Sequence, residues 1–452
     1  MKIIIRGGRL IDPANAIDSV QDVYIDGGKV VRPYPLSEAE EIIDASGRIV
    51  CPGFIDIHMH EDPVLPDGSI YCDEEKAIFA CMLRMGVTTA IGGNCGESVC
   101  HPADYLDLAE RQGMAVNVGM LAGHEYFRNA AGATDKYAPA SEAQKEQMSR
   151  EIAESLKRGC LGVSYGIRYV PGIDMDELLK SAAGCREHGG MIAAHIRSDA
   201  AEVFDAAREF LDAGVQLGVP VQISHIGSMA GFGQMEEFLR LVDSYRLTKP
   251  DILCDCYPYD AFSTGIGSTT YDEGWLDRYG CDYSVVELPE GKYKGQRCTK
   301  EIFDEVRRDH PDCKTICYVM QQEQVDMAYR HPGVCLGSDG TLSEGQGHPR
   351  AAGSFPRLIA RYVKSGVITM YDAIGMMTSK PAKQLGLENK GRLNVGADAD
   401  VVIFDPEKIE DRATFAQPLL SPVGIDWVIV GGEVAAKDCV IVNAHAGKTV
   451  RL

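Results

Sequence analysis

The chain has 452 residues, which is room for two to four domains or for one large barrel with an appendage. Lysine and arginine total 45 against 66 aspartate and glutamate residues, and the resulting formal charge of −21 disfavours nucleic acid and anionic membrane surfaces as partners. Hydrophobic residues make up 45% and charged residues 25% of the chain, which excludes a disordered or fibrous protein.

The sequence predicts neither a targeting signal nor a disulfide framework. The N-terminus reaches Arg6 after three isoleucines, which is too short for a signal-peptide core, and no run of 18 apolar residues occurs. The 15 cysteines have no repeated spacing, and several lie inside apolar, strand-like runs. We therefore predict a cytoplasmic protein with reduced cysteines and no membrane contact, and the sequence leaves a homo-oligomer open.

Both ends of the chain have β patterns. Asp26-Gly27-Gly28 joins two apolar runs near the N-terminus, and Gly431-Gly432 joins two more near the C-terminus. An isolated hairpin is only marginally stable in water, so each end needs a partner. We predict that residues 1–50 and 389–452 pair into one small β-sandwich, with the middle of the chain inserted between them.

The middle of the chain, residues 51–388, alternates short apolar runs with longer helical patterns. Eight strands with crossover helices predict an α/β fold, a parallel (β/α)8 barrel of the TIM type. The strand candidates are Phe54 to His58, Gly86 to Ile91, Ala115 to Met120, Leu161 to Tyr165, Met191 to His195, Val219 to His225, Ile252 to Tyr257 and Val334 to Ser338. The helical stretches include Glu142 to Arg158, Asp176 to Glu187, Ala200 to Ala213 and Met235 to Ser244.

Residues 264–313 break this alternation with glycines, aromatic residues and one helical stretch around Thr299 to Arg308. A connection this long is uncommon in a compact domain unless it forms a lid or a binding loop. We predict a lid insertion within the barrel. The strand-like run Lys314 to Val319 has no place in this scheme.

Polar side chains with metal-binding chemistry follow the predicted barrel strands. His58 and His60 come after the first strand, and side chains two residues apart on a strand face the same way. His195, His225 and Asp339 end three later strands, and Cys95 follows the second strand. Since the C-terminal strand ends meet at one rim of a barrel, we expect these six side chains to converge.

Four histidines, one cysteine and one aspartate match the nitrogen and sulfur ligands that Zn2+ prefers. Zinc with an open coordination position activates water for attack at neutral pH. Asp339, next to that water, would accept its proton and return it to the leaving group.

Several motifs carry a family resemblance. The string from Pro52 to His60, the strand-end ligands and the split β-domain resemble the amidohydrolase superfamily. Within it, the chain resembles the N-acyl-D-amino-acid deacylases over nearly its whole length, through Gly92-Gly93-Asn94-Cys95-Gly96, Gly123-His124 with Arg128, Gly162-Val163-Ser164-Tyr165-Gly166, Tyr257-Pro258-Tyr259, Gly337-Ser338-Asp339-Gly340 and His348-Pro349-Arg350. The cysteine ligand is the most specific of these elements.

This resemblance implies that Cys95, His195 and His225 hold one tight zinc ion. A second, weaker position would be formed by His58, His60, Cys95 and Asp339, and Asp339 would be the acid/base. The implied reaction hydrolyses the amide of an N-acyl-D-amino acid to a carboxylic acid and a free D-amino acid. The implied partner is therefore a small, anionic substrate.

The substrate contacts depart from the family pattern. A lysine that helps to hold the substrate carboxylate usually follows the His225 position by two residues, but this chain has Gly227 there. Because the protein is strongly negative, an anionic substrate still needs a local cation. The predicted substrate-binding residues are Tyr257, Ser263, Arg350, Tyr169 and Arg168, with Arg197 and Arg297 as further candidate cations.

Two alternatives remain beside the deacylase prediction. A related amidohydrolase acting on a cyclic amide, an N-carbamoyl compound or an aminated heterocycle is kept open by the missing lysine. A non-catalytic scaffold on a decayed barrel is disfavoured, since all six ligand positions are filled.

Overall fold

The structure is a computed structural model that describes residues 1–343 and 345–452. In the described part of the chain, eight parallel strands form a barrel, as the (β/α)8 prediction requires. The third strand consists of two pieces, of which the first pairs with the second strand and the other with the fourth strand. The barrel strands are Phe54–Asp56, Val87–Gly92, Asn117–Met120 with Ala122–Gly123, Gly162–Gly166, Met191–His195, Val221–Ile223, Ile252–Cys256 and Val334–Leu336.

The barrel closes between its first and eighth strands. Met59 and Gly340 form a parallel bridge, and the His60 N–H donates to the carbonyl of Gly340 over 2.9 Å. The Asp339 N–H donates to the carbonyl of His58 over 2.7 Å. Closure therefore places two predicted ligand segments, far apart in the sequence, directly beside each other.

Helices surround the barrel strands, and one of them differs from its prediction. The predicted continuous helix from Asp176 to Glu187 is two helices, Met175–Ser181 and Cys185–His188, separated at Gly184, a residue that disfavours helix. No helix in the described residues is both long and apolar enough to cross a membrane. The other α-helices are Ile78–Arg84, Pro102–Gln112, His124–Ala130, Glu142–Lys157, Val203–Leu217, Ile226–Ala230, Met235–Arg246, Trp275–Tyr279, Lys300–Asp309, Gln322–Tyr329, Arg350–Arg357, Met370–Met377 and Ser379–Gln384.

Both chain ends build the small β-sandwich, which confirms that part of the fold prediction. Its larger sheet joins the strand Ile49–Pro52 to Val401–Phe404 in antiparallel register, with Cys51 opposite Val402. Its core contains apolar side chains from both ends of the chain. The exact limits of the domains remain predictions. The smaller sheet contains Lys29–Val30, Val23–Asp26, Ile3–Arg6 and Glu41–Asp44, and the larger one contains Val440–Ile441, Glu433–Lys437, Ile425–Val430, Val401–Phe404, Ile49–Pro52, Arg9–Asp12 and Ile17–Val20.

The lid insertion has its own sheet, with strands Phe262–Gly265, Val286–Glu287 and Lys314–Cys317. The central strand is the run that had no place in the barrel scheme, and it pairs antiparallel with both neighbours. The sheet includes residues on either side of the predicted 264–313 segment. Antiparallel pairing brings the two ends of the insertion together, and Ser263 on the first of these strands lines a cavity with Cys95 and Asp339.

Candidate metal centre

The six predicted ligands lie together at the rim formed by the C-terminal ends of the barrel strands. His195 is the last residue of the fifth strand, and His225 lies two residues beyond the sixth. His58, Cys95, His195, His225 and Asp339 are all buried, whereas His60 is partly exposed. The alternation of side chains after the first strand directs His58 and His60 to the same region, as predicted.

Cys95 lies between two groups of candidate ligands. Its Sγ is 3.4 Å from Nε2 of His58 and 3.5 Å from Nε2 of His225. One group contains His58, His60, Cys95 and Asp339, the other contains Cys95, His195 and His225, and within each group the ligand atoms lie within 4.8 Å of one another. A thiolate shared by both groups can bridge two cations.

The backbone is strained where it presents three of these side chains. Cys95, His225 and Asp339 adopt φ values of 53°, 33° and 50°, in the left-handed region that few non-glycine residues occupy. The Cys95 loop also packs tightly on the fourth strand, since a Cβ on Gly166 would lie 2.2 Å from the carbonyl oxygen of Cys95. Such strain concentrates at functional sites, where the surrounding structure enforces it.

The donor atoms fit a zinc ion. The Nδ1 atom of His195 is buried and has no hydrogen-bond partner among the described residues, as expected of a nitrogen whose partner is a cation. Burial alone would raise the pKa of the Cys95 thiol, but the imidazoles of His58 and His225 hold it well below its usual value. The site therefore favours a thiolate beside imidazole nitrogens, which is a zinc-type donor set.

Neighbouring polar groups fix the orientation of the imidazoles. The Ser228 hydroxyl lies 3.0 Å from Nδ1 of His225, which leaves Nε2 of that ring facing Cys95. Asp255 lies 3.1 Å from Nδ1 of His58 and does the same for that ring. Asp255 is not among the residues predicted from the sequence, although a single carboxylate within the apolar strand Ile252–Cys256 is a usable signal.

The two oxygens of Asp339 face different partners. Oδ1 lies 3.1 Å from Nε2 of His60, on the ligand side, and Oδ2 lies 2.9 Å from Nη1 of Arg350. Burial would raise the pKa of Asp339, but the Arg350 guanidinium and then His60 outweigh it and hold that pKa well below the usual range. Burial would lower the pKa of His60, but the contact with Asp339 outweighs burial and raises that pKa to about 10.

A cavity of about 360 Å3 opens from the ligands toward the lid. Three predicted substrate contacts, Tyr169, Ser263 and Arg350, line it together with His60, Cys95 and Asp339. Tyr257 lines an adjoining cavity of about 20 Å3 and lies under the Arg350 guanidinium, with 4.8 Å between the guanidinium carbon and the ring centroid. Ser263 Oγ and Arg350 Nε are buried without hydrogen-bond partners among the described residues, so both can receive a ligand.

The other three candidate cations, Arg168, Arg197 and Arg297, line neither of these cavities. Arg168 lines neither cavity, although its charge acts on His195 and its Nε is buried without a hydrogen-bond partner among the described residues. Arg197 makes two hydrogen bonds to Glu209, of 2.8 and 2.7 Å. Arg297 is largely exposed beside Glu287.

The space beside Gly227, where the family resemblance predicts a lysine, is filled by apolar and sulfur atoms. A Cβ on Gly227 would lie 3.0 Å from Cε of Met320 and 3.2 Å from Sγ of Cys256. The cation that the sequence analysis found missing is therefore not replaced at that position. Among the described residues, Arg350, Lys136 and Lys314 are the lysine and arginine residues that line the cavity, and of these Arg350 is the buried one.

His124, which also belongs to a resemblance motif, takes no part in this centre. It is buried with its Nε2 3.2 Å from Oε1 of Glu177, and Arg128 Nε donates to the same oxygen over 2.9 Å. These three residues form a structural ion cluster between the helices His124–Ala130 and Met175–Ser181.

Known proteins resemble this chain over its full length. Two models with the description "Amidohydrolase family" match residues 49–218 and 326–436. An N-acyl-D-glutamate deacylase of Alcaligenes xylosoxydans xylosoxydans is 32% identical, over 96% of this chain and 93% of that protein.

Solved structures agree with these matches. The N-acyl-D-glutamate deacylase of Bordetella bronchiseptica, complexed with zinc and a phosphonate mimic of the tetrahedral intermediate, is 28% identical with a TM-score of 0.87 and covers 100% of both chains. A D-aminoacylase with a binuclear metal centre, described by one-metal activation and second-metal attenuation, is 27% identical with a TM-score of 0.88, over 100% of this chain and 99% of that one. The chain therefore belongs to the amidohydrolase family and, within it, to the N-acyl-D-amino-acid deacylases.

Proposed function

We propose that this protein is a zinc-dependent hydrolase that cleaves the amide bond of N-acyl-D-amino acids into a carboxylic acid and a free D-amino acid. The observation that carries the proposal is a thiolate shared by two donor groups, beside a cavity that contains a buried guanidinium. Zinc supplies Lewis acidity that activates water and polarises a carbonyl. The names of the relatives support the same reaction and the same metal.

The metal ligands divide into two positions. Cys95, His195 and His225 would hold the tight zinc ion, and His58, His60, Cys95 and Asp339 would form a second, weaker position. The attenuation by a second metal in the related D-aminoacylase supports an inhibitory role for this second position here.

Asp339 moves the proton in the proposed reaction. Its lowered pKa keeps the carboxylate ionised at neutral pH, so it can accept a proton from the attacking water. Water oxygen bonds to the carbonyl carbon, the carbon–nitrogen bond breaks, and Asp339 returns the proton to the leaving nitrogen. The resulting amine departs as the D-amino acid.

Arg350 anchors the substrate carboxylate, with Ser263 and Tyr257 beside it. The buried Arg350 guanidinium pairs with Asp339 through Nη1, but its Nε has no hydrogen-bond partner among the described residues, and a carboxylate is an anion that suits this group. Tyr169 packs edge-on against the His195 ring, with 4.6 Å between centroids, and lines the cavity beside the metal position. This arrangement gives a protein of charge −21 a positive contact for an anionic substrate.

A panel of substrates tests the proposal. The zinc-loaded protein is incubated with N-acetyl-D-amino acids, their L enantiomers and hydantoins, and the release of free amine is followed. We expect amine from the D compounds. Release from hydantoins alone would favour the cyclic-amide alternative, and no amine from any N-acyl-D-amino acid would exclude the deacylase.

A further inference from the structure

Asp255 is a buried carboxylate that touches candidate ligands of both metal positions. It lies on the seventh barrel strand with no exposed surface and lines neither cavity, so it does not meet the substrate. Its Oδ1 is 3.1 Å from Nδ1 of His58 and accepts the backbone N–H of His225 over 2.7 Å. Its Oδ2 accepts the side-chain amide of Gln222 over 2.6 Å.

These contacts act differently on the two histidines. Asp255 meets the ring of His58, so its negative charge increases the basicity of the opposite nitrogen, Nε2, which faces Cys95. It meets only the backbone of His225, whose ring is oriented by Ser228. The charge of Asp255 therefore reaches the second metal position more directly than the first.

Gly337, the residue after the eighth strand, leaves room for this pair. A Cβ on Gly337 would lie 2.8 Å from Cβ of His58 and 3.0 Å from Cβ of Asp255. Glycine at this position lets the imidazole and the carboxylate pack side by side against the strand. The contact thus involves Gln222 on the sixth strand, Asp255 on the seventh strand, Gly337 after the eighth strand and the segment that carries His58.

We propose that Asp255 is a positioning residue that determines whether the second metal ion binds, by orienting the His58 ring and placing a negative charge behind it. The inference rests on the proposed two-position metal site and adds to it the residue that controls occupancy. Cys95 and Asp339 supply negative charge in front of a cation at that position, and Asp255 supplies charge behind its histidine ligand. Such outer contacts typically change metal affinity by about 10- to 100-fold.

Equilibrium dialysis of the purified protein against zinc tests this inference without substrate. We expect Asp255→Asn, which removes the charge at nearly constant size, to weaken the second zinc ion by about 10- to 100-fold and the first by less than about threefold. Cobalt(II) in the second position should also show a changed visible absorption spectrum, because the spectrum reports ligand geometry. If the asparagine variant is insoluble, Asp255→Glu is used in its place. We expect the same weakening of the second zinc ion, because the longer side chain displaces the carboxylate from the His58 ring.

Two controls separate positioning from general packing. Asp56 is also fully buried, but it accepts the backbone N–H of His58 over 3.2 Å rather than contacting the ring. Asp56→Asn and Gln222→Leu should therefore leave the second zinc affinity within about threefold of the wild type. A loss in either control as large as that in Asp255→Asn would assign the effect to packing and overturn the inference.

The remaining outcomes are also decisive. Equal weakening of both ions in Asp255→Asn, or no weakening of the second, overturns the role of Asp255 and leaves the proposed deacylase activity intact. A wild-type protein that binds a single ion at saturating zinc overturns the two-position site and this inference together. Amide hydrolysis is measured separately with the substrate panel, so a failed activity is distinguished from a failed metal assignment.

Discussion

Replacing Arg350 with alanine removes the buried cation that we assign to the substrate carboxylate. The guanidinium is 2% exposed, and its Nε and Nη1 have no aligned hydrogen-bond partners among the described residues, although Nη1 lies 2.9 Å from Asp339. Two hydrogen bonds to a charged group contribute about 1.5 kcal/mol or more each. Their loss, about 3 kcal/mol, corresponds to a decrease of roughly 100-fold in kcat/KM.

The assay compares substrates with and without the carboxylate. Steady-state kinetics are measured for an N-acetyl-D-amino acid and for its neutral carboxamide. Because Arg350 also pairs with Asp339, kcat should fall for both, but the preference for the acid over the carboxamide should fall by the additional 100-fold. The matched control is Arg357→Ala on the same helix, whose guanidinium stacks on Tyr259 at 4.4 Å and pairs with Asp411, away from the cavity.

The kinetic pattern can refute this reasoning. Equal losses for the acid and the carboxamide would show that Arg350 acts only through Asp339. An unchanged preference together with a normal rate would place the carboxylate anchor elsewhere. A comparable loss of preference in Arg357→Ala would indicate a distorted helix rather than a lost contact.

Three further predictions concern the proton carrier, the shared thiolate and a distant ion cluster. Asp339→Asn should retain its tightly bound zinc but lose about 100-fold or more in kcat, because proton transfer is lost; zinc analysis and kcat check this, and a near-normal rate would identify another base. Cys95→Ala should lower the zinc content itself, since a thiolate ligand is removed, and an unchanged stoichiometry by elemental analysis would exclude Cys95 as a ligand. Burial would raise the pKa of Glu177, but His124 and then Arg128 outweigh burial and lower that pKa. The Glu177 carboxylate therefore stabilises the fold above about pH 4.3, and this stabilisation is lost as the pH falls through the lowered pKa. Glu177→Gln should therefore lower Tm at pH 7 and reduce its decline between pH 5 and pH 3 in thermal denaturation; parallel Tm curves for variant and wild type would contradict this role.

The barrel and its ligand rim could be predicted because both follow from short-range rules. Parallel strands buried on both faces appear as apolar runs, and the residue that ends each run must lie at one rim once the barrel closes. His195 illustrates this, since it is the last residue of both the predicted and the observed fifth strand. The roles of the site residues remain proposals that the variants above would test.

Other features depend on contacts that no local pattern encodes. Asp255 is a single charged residue in an apolar strand, and its partners His58 and Gln222 become neighbours only in the closed barrel. The lid strand Lys314–Cys317 resembled a barrel strand, because the sequence does not show that its partners are antiparallel lid strands. The filling of the space beside Gly227 by Met320, a residue distant in the sequence, likewise depends on the folded structure.

The strand Ile49–Pro52 has a consequence for biosynthesis. It pairs on one side with Arg9–Asp12 and on the other with Val401–Phe404, which leaves the ribosome some 350 residues later. Until then one edge of the nascent N-terminal sheet has unsatisfied backbone groups, a configuration that recruits other chains. Chains truncated before this late strand should therefore aggregate more than the full chain when both are expressed under the same conditions.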